Sequence, residues 1–164
     1  MPTKAPLHPW VWATAPWQRI HIDYAGSFQN SLFLVVVDAH SKWAEVIQVS
    51  STTSSSTIEV LRDLFVSFGI PEQIVSDKGA QFVSEEFQAF VRSNGIPHIT
   101  SAPYHPATNG LAEKAVKTFK QTLRSMYKSS KLVKENLAKF LIAYRNTPHS
   151  TAGVNTAQLL LGRP

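Results

Sequence analysis

The stretch Trp17–Val49, WQRIHIDYAGSFQNSLFLVVVDAHSKWAEVIQV, decides the architecture of this chain. Its first part, Trp17–Ala25, alternates as a strand does, with Ile20, Ile22 and Tyr24 on one face and His21, Asp23 and Ala25 on the other. Gly26 and the polar SFQNS that follows predict a turn. Ser31–Asp38 (SLFLVVVD) is a continuous apolar run, the pattern of a central strand covered on both faces. Asp38–Ser41 turns the chain again, and Trp43–Val49 makes a third strand. Connections this short make the three strands antiparallel neighbours.

Downstream the period changes from two to that of a helix. Ser50–Thr57 (SSTTSSST) reads as a loop leading into a helix cap. Thr57–Phe68 then sets Ile58, Leu61, Leu64, Phe65 and Phe68 at helical spacing, until Gly69 and Pro71 stop it. Gln73–Ser76 is a short strand ending at Asp77, Ser84–Asn94 a helix capped by Ser84, and His98–Ser101 a fifth strand. Ala102–Gly110 is a loop of turn formers, followed by helices over Leu111–Tyr127 and Leu132–Arg145. Met1–Pro16, with four prolines, reads as extended chain. The expected organisation is a lead-in over 1–15, a core over 16–128, and a C-terminal helical part over 129–164 of the same domain. The expected fold is α/β: a mixed five-stranded sheet, three antiparallel strands then two more, flanked by helices.

Composition sets outer bounds. With 164 residues, 43% hydrophobic and 16% charged, the chain suits one domain with a sizeable core. The absence of cysteine excludes disulfides, thiol nucleophiles and cysteine-held zinc or iron–sulfur centres. No apolar run reaches the roughly 18–20 residues that span a bilayer, and the first residues lack a secretory pattern, so a soluble intracellular protein is expected. The net charge of +5 is uneven: Leu111–Arg145 holds nine basic residues against Glu113 and Glu135, and the rest of the chain is slightly acidic. That asymmetry points to a polyanion-facing surface, or more simply to a lysine-rich solvated helix.

Three acids stand out by position. Asp23 lies on the polar side of the first strand, Asp77 closes the fourth, and Glu113 sits in the first turn of the long helix after Thr108-Asn109-Gly110. Strand ends and helix starts are where α/β sheets place reactive groups. Carboxylates brought together repel one another, and a hard divalent cation with oxygen ligands removes that penalty. Each acid also has a simple structural account: a turn contact for Asp23, a cap for Asp77, a favourable N-terminal charge for Glu113. Asp38 reads as a turn residue, Glu45 as pointing outward, and His21 as turned away from Asp23.

The segments IHIDYAG, VVVDAHSKWAEV, GIPEQIVSDKGAQF and SAPYHPATNGLAEKAVKTFKQTL occur in that order, with 53 residues between Asp23 and Asp77 and 35 between Asp77 and Glu113. Together they closely resemble the catalytic core of integrases, of retroviral enzymes generally and of gypsy-type LTR retrotransposons most closely. The resemblance runs from about Trp10 to Arg163 and includes AYRNTPHSTAG and LLLGR. It implies a ribonuclease-H-like fold, with Asp23, Asp77 and Glu113 as the catalytic triad holding Mg²⁺ or Mn²⁺, two ions in all and no zinc. The implied enzyme is a polynucleotidyl transferase and endonuclease that trims 3′ ends of element DNA and transfers them to target DNA. It also implies work in the nucleus and a homodimer formed through helices, for which Leu132, Val133, Leu137, Phe140, Leu141 and Tyr144 are the apolar candidates. Two alternatives remain: a host-retained binding module without DNA breakage, and a ribonuclease H, which lacks the YHPATNGLAEK segment.

On the long helix, Ala112, Val116, Phe119, Leu123 and Met126 make an apolar stripe, and Glu113, Lys117, Lys120, Arg124 and Lys128 a charged one beside it. Lys117 and Lys120, one and two turns after the glutamate, correspond to family contacts with element-end DNA. Lys114, Arg124, His105 and Asn109 are assigned to the nucleic acid as well. Lys78 and Lys114 depart from the Asn or Arg, and the Arg, common after the second and third acids. With no histidine–cysteine zinc domain, the chain is expected to be a core fragment, or a degraded or domesticated copy.

Overall fold

The computed structural model describes residues 13–100, 110–129, 133–146 and 160, with backbone alone at 110–113. Along them run β1 (Arg19–Phe28), β2 (Ser31–Asp38), β3 (Ala44–Val49), α1 (Ser54–Phe68), β4 (Gln73–Ser76), α2 (Ala80–Val83), α3 (Glu85–Ser93), β5 (His98–Thr100), α4 (Gly110–Lys128) and α5 (Val133–Asn146). The sheet order is β3-β2-β1-β4-β5. β1–β2 and β2–β3 are antiparallel, as the short turns require, and β1–β4 and β4–β5 are parallel. The mixed five-stranded sheet with flanking helices is therefore as expected.

The strands sort their side chains between two cores. Ile20, Ile22, Leu34, Val36 and Ile74 meet Ile58, Leu61, Phe82, Phe87 and Phe90 from α1, α2 and α3. On the other face Ala25, Phe33, Val35, Val37 and Ala44 meet Ala115, Val116, Phe119, Leu123, Leu137 and Tyr144 from α4 and α5. β2 supplies both cores, which is why its sequence is apolar without alternation.

Several boundaries differ from expectation for identifiable reasons. β1 does not stop at Gly26 but continues to Phe28, whose ring stacks on Tyr127 of α4 at 5.6 Å. The reversal is left to Gln29 and Asn30, at φ 49° and 66°, the two positive values that a tight hairpin turn demands. Gly26 itself, at φ 115°, marks a register shift, and a Cβ there would lie 2.7 Å from the Ser31 carbonyl oxygen. α1 begins inside the serine-rich segment because Thr53 caps it, its hydroxyl accepting the Ser56 N–H at 3.2 Å. The four-residue α2 is too short to show a period, so the sequence pattern does not reveal it. Asp38 is a turn residue as expected, and a fully buried one. Its carboxylate accepts the N–H groups of Trp17 at 2.9 Å and Ser41 at 3.0 Å, and the Ser41 hydroxyl at 2.5 Å.

Glu45 does not simply point outward. Its carboxylate accepts Trp43 Nε1–H at 2.9 Å and pairs with Arg145 of α5 at 3.4 Å. Arg145 also lies over the Trp43 ring at 3.9 Å and donates to the Ala44 carbonyl at 2.6 Å, so α5 is clamped to the edge strand β3.

Candidate active site

Asp23 and Asp77 reach one place through strand register. In the parallel β1–β4 ladder Arg19 pairs with Gln73, Ile20 with Ile74 and His21 with Val75, each couple 54 apart in number, and Asp23 and Asp77 are 54 apart as well. Asp77 directly follows β4, and continuing that offset two residues past the last paired couple puts it opposite Asp23, near enough for its charge to act on the Asp23 carboxyl. The spacing of the acids along the sequence is thus a register offset.

Asp23 stands on the α4 side of β1. Its Oδ1 accepts the Tyr24 N–H at 2.8 Å, and its Oδ2 accepts a charged hydrogen bond from Lys120 Nζ, also at 2.8 Å. The Asp23 side chain is 25% exposed and that of Lys120 38%. Burial pushes the Asp23 carboxyl above its ordinary pKa and the neighbouring Asp77 charge pushes the same way, while the bonds from Lys120 and Tyr24 pull against them. Burial prevails despite the ion pair.

Asp77 leads into a tight loop. Its Oδ1 accepts the Gly79 N–H at 2.8 Å, closing an Asx-type turn. A Cβ on residue 79 would sit 2.9 Å from that same oxygen and 3.1 Å from the Gln81 amide, so a side chain there would push the carboxylate or the amide aside. α2 follows at once and buries Phe82 in the core, which anchors the far end of the loop.

The backbone of Glu113 is in the first turn of α4, two turns before Lys120, and its side chain lies outside the described residues. His105 and Asn109 also lie outside them, as does Leu132. On α4, Lys114, Lys117, Arg124 and Lys128 are exposed, with no ion pair to an acid among the described residues. Lys120 differs: it is drawn inward to Asp23, so the expected even stripe of cations is broken at that position. His21 follows the strand alternation and not its reading as turned away from Asp23. A strand has a period of two, so it shares the Asp23 face. It is buried there with its pKa lowered to about 3 by desolvation and by the charges of Arg19 and Lys42.

The arrangement offers one half-buried carboxylate on β1, with an ammonium at one of its oxygens, and one exposed carboxylate on the loop that follows β4. Among the described residues no group of three or more His, Asp or Glu side chains is gathered. The donor set nonetheless suits a hard cation, because a divalent ion relieves the burial and mutual repulsion that raise the Asp23 pKa. The sequence reading missed Gln88, His98 and Ser76, which form a hydrogen-bonded group behind Asp77; no local pattern in the sequence links them.

The family described as integrase core domain matches residues 9–106. Over 164 residues the chain is 44% identical to an uncharacterized protein of Caenorhabditis elegans, K02A2.6, covering 99% of this chain and 13% of that protein. It is 30% identical over 134 residues to the Gag-Pol polyprotein of walleye dermal sarcoma virus, covering 80% of this chain and 8% of the polyprotein. The chain thus spans about an eighth or less of the length of these relatives. Among solved structures, the HTLV-2 integrase catalytic core domain in complex with magnesium (trimeric form) superposes with a TM-score of 0.70 at 23% identity, covering 90% of this chain and 98% of that one.

Proposed function

This chain belongs to the integrase core domain family, and from that premise we propose that it carries out divalent-metal-dependent polynucleotidyl transfer on DNA. The reaction comprises trimming of 3′ ends and joining of the new 3′-hydroxyls to target phosphodiesters. The observation that supports this reading is that Asp77 follows the end of the parallel β1–β4 ladder close to Asp23, its charge acting with burial to raise the Asp23 carboxyl pKa.

Asp23 and Asp77, with Glu113, are the residues that would hold two Mg²⁺ or Mn²⁺ ions. Such ions supply activation of the attacking oxygen and neutralisation of the leaving one. The chain itself supplies direction and charge. Tyr24 N–H and Gly79 N–H each fix one oxygen of an aspartate, which restricts how each carboxylate can turn. Lys120 balances the charge on Asp23 Oδ2 while no phosphate competes for it. Lys114, Lys117 and Arg124, exposed on the same helix, are free to meet phosphates of element ends and target DNA, and His105 and Asn109 are assigned to the same nucleic acid. We place the catalytic core in residues 16–128, continued by the helical part 129–164, and its work in the nucleus.

A Mn²⁺-supported strand-transfer or disintegration assay tests this. Asp23→Asn, Asp77→Asn and Glu113→Gln are each expected to bring joining to background while DNA binding persists or strengthens. Unchanged joining by Glu113→Gln overturns the triad; unchanged joining by Asp23→Asn overturns the site as a whole.

A further inference from the structure

The loop that carries Asp77 is pinned at both ends by one chain of hydrogen bonds, and the proton positions in that chain follow from its geometry. At the far end Gln88 Nε2 donates to the Phe82 carbonyl at 2.9 Å. This fixes the orientation of the amide, since the flipped form would set two oxygens against each other. The same Nε2 lies 3.0 Å from His98 Nδ1, which must therefore accept. A neutral imidazole that accepts at Nδ1 carries its proton on Nε2. That Nε2 is 2.7 Å from Ser76 Oγ and donates to it, leaving the Ser76 hydroxyl proton for the Asp77 carbonyl at 2.8 Å. Ser76 is buried, and the His98 ring stands edge-on to Phe87 at 5.1 Å, so the joint between the two halves of the chain is held by packing. The members come from α3, β5 and β4, and the loop they bracket runs from Asp77 to Phe82. Burial lowers the His98 pKa, which favours the neutral ring that this bonding pattern needs.

We propose that His98 is a positioning residue for Asp77: through Ser76 it holds the Asp77 carbonyl, through Gln88 the Phe82 carbonyl, and between them it sets the direction of the Asp77 carboxylate. The bracing of the loop stands by itself, whereas the consequence for cations rests on the metal role proposed above for Asp77.

Three measurements on the 164-residue chain test it. In the metal-free protein, ¹⁵N shifts of His98 are expected to report the Nε2–H form, and the Gly79 amide signal to move in His98→Phe and in Ser76→Ala. In a Mn²⁺ titration His98→Phe, which keeps a ring against Phe87, is expected to weaken binding about tenfold, the usual scale for a group supporting a metal ligand. Ser76→Ala is expected to weaken it similarly and the double variant no further, because both act through one chain. His98→Gln, with an acceptor and a donor at matching places, is expected to restore most of the affinity. Ser76→Ala removes a single oxygen and keeps the test open if His98→Phe fails to fold. An Nδ1–H tautomer, an unmoved Gly79 amide, or Mn²⁺ affinity unchanged in both single variants while Asp77→Asn abolishes binding overturns the positioning role. Mn²⁺ binding that survives Asp77→Asn overturns instead the metal role of that aspartate.

Discussion

At Asp23 two pH effects can be separated from their neighbours by single substitutions. Its folded pKa is raised, so its contribution to stability is fully present below the ordinary carboxyl pKa and is lost as pH rises through the folded value. Asp23→Asn is therefore expected to raise the melting temperature at pH 7, with the gain shrinking towards pH 4. A loss at pH 7 would mean that Lys120 repays the whole cost of burial. His21 acts in the opposite sense. Its folded pKa lies near 3 against 6.5, so its contribution is present above pH 6.5 and is lost as pH falls towards 3. The slope over that window is about 1.4 kcal/mol per pH unit. Its Nε2 has no hydrogen-bond partner among the described residues, so His21→Leu is expected to flatten the acid slope at little cost at pH 7, as followed by denaturation at several pH values. Lys117 and Lys120 are expected to separate as well. Lys117→Ala should reduce the salt slope of DNA binding by about one phosphate contact. Lys120→Met should raise Mn²⁺ affinity, because it removes an ammonium 2.8 Å from the Asp23 oxygen. Equal effects on both readouts would put the two lysines in one role.

At the scale of elements, α4 does two jobs set by angle. Phe119 and Leu123 are fully buried against the sheet, and Phe119 meets Phe140 at 5.5 Å and Tyr144 at 4.7 Å across to α5. One turn of this packing therefore fixes where Lys120, the next residue, meets Asp23. Phe119→Ala is expected to cost about 3–5 kcal/mol in denaturant unfolding. Unfolding at the wild-type midpoint would show that the ring is not packed as described. The long periodic elements β1, α1, α3, α4 and α5 are legible in the sequence because covalent geometry repeats their buried face every two or 3.6 residues, and β2 by its unbroken apolar run. α2 is not, since four residues hold barely one turn, and Phe82 becomes a core residue only through what it packs against.

For the molecule as a whole, the two cores account for much of the apolar surface once available for pairing. Leu137 and Tyr144 are buried within the chain and Phe140 and Leu141 pack on that core, so most of the α5 residues expected to form a homodimer close the monomer instead. Val66 of α1 and Ile142 of α5 remain 88% and 61% exposed. A helical homodimer, which we still propose, is then expected to depend on these two. Sedimentation at tens of micromolar should show a dimer lost in Val66→Glu with Ile142→Glu. A wild-type monomer would remove the proposal. Among the described residues no helix is long and apolar enough to cross a membrane.

The sequence by itself determined the kinds and order of the strands, their two faces, and the number of residues between Asp23 and Asp77, because strand period and spacing are written in residue numbers; that this spacing matches the β1–β4 register is a property of the paired strands. It also determined that one helix carries Glu113 and a run of cations. Only the tertiary structure decided what those groups touch. Lys120 and Asp23 are 97 residues apart, and Ser76 and His98 are 22 apart on separate strands. Neither contact leaves a local period, because each depends on how far a helix slides over a strand or a strand along its neighbour. That docking is set by the summed packing of side chains such as Phe119 and Phe87, a property of the assembled core.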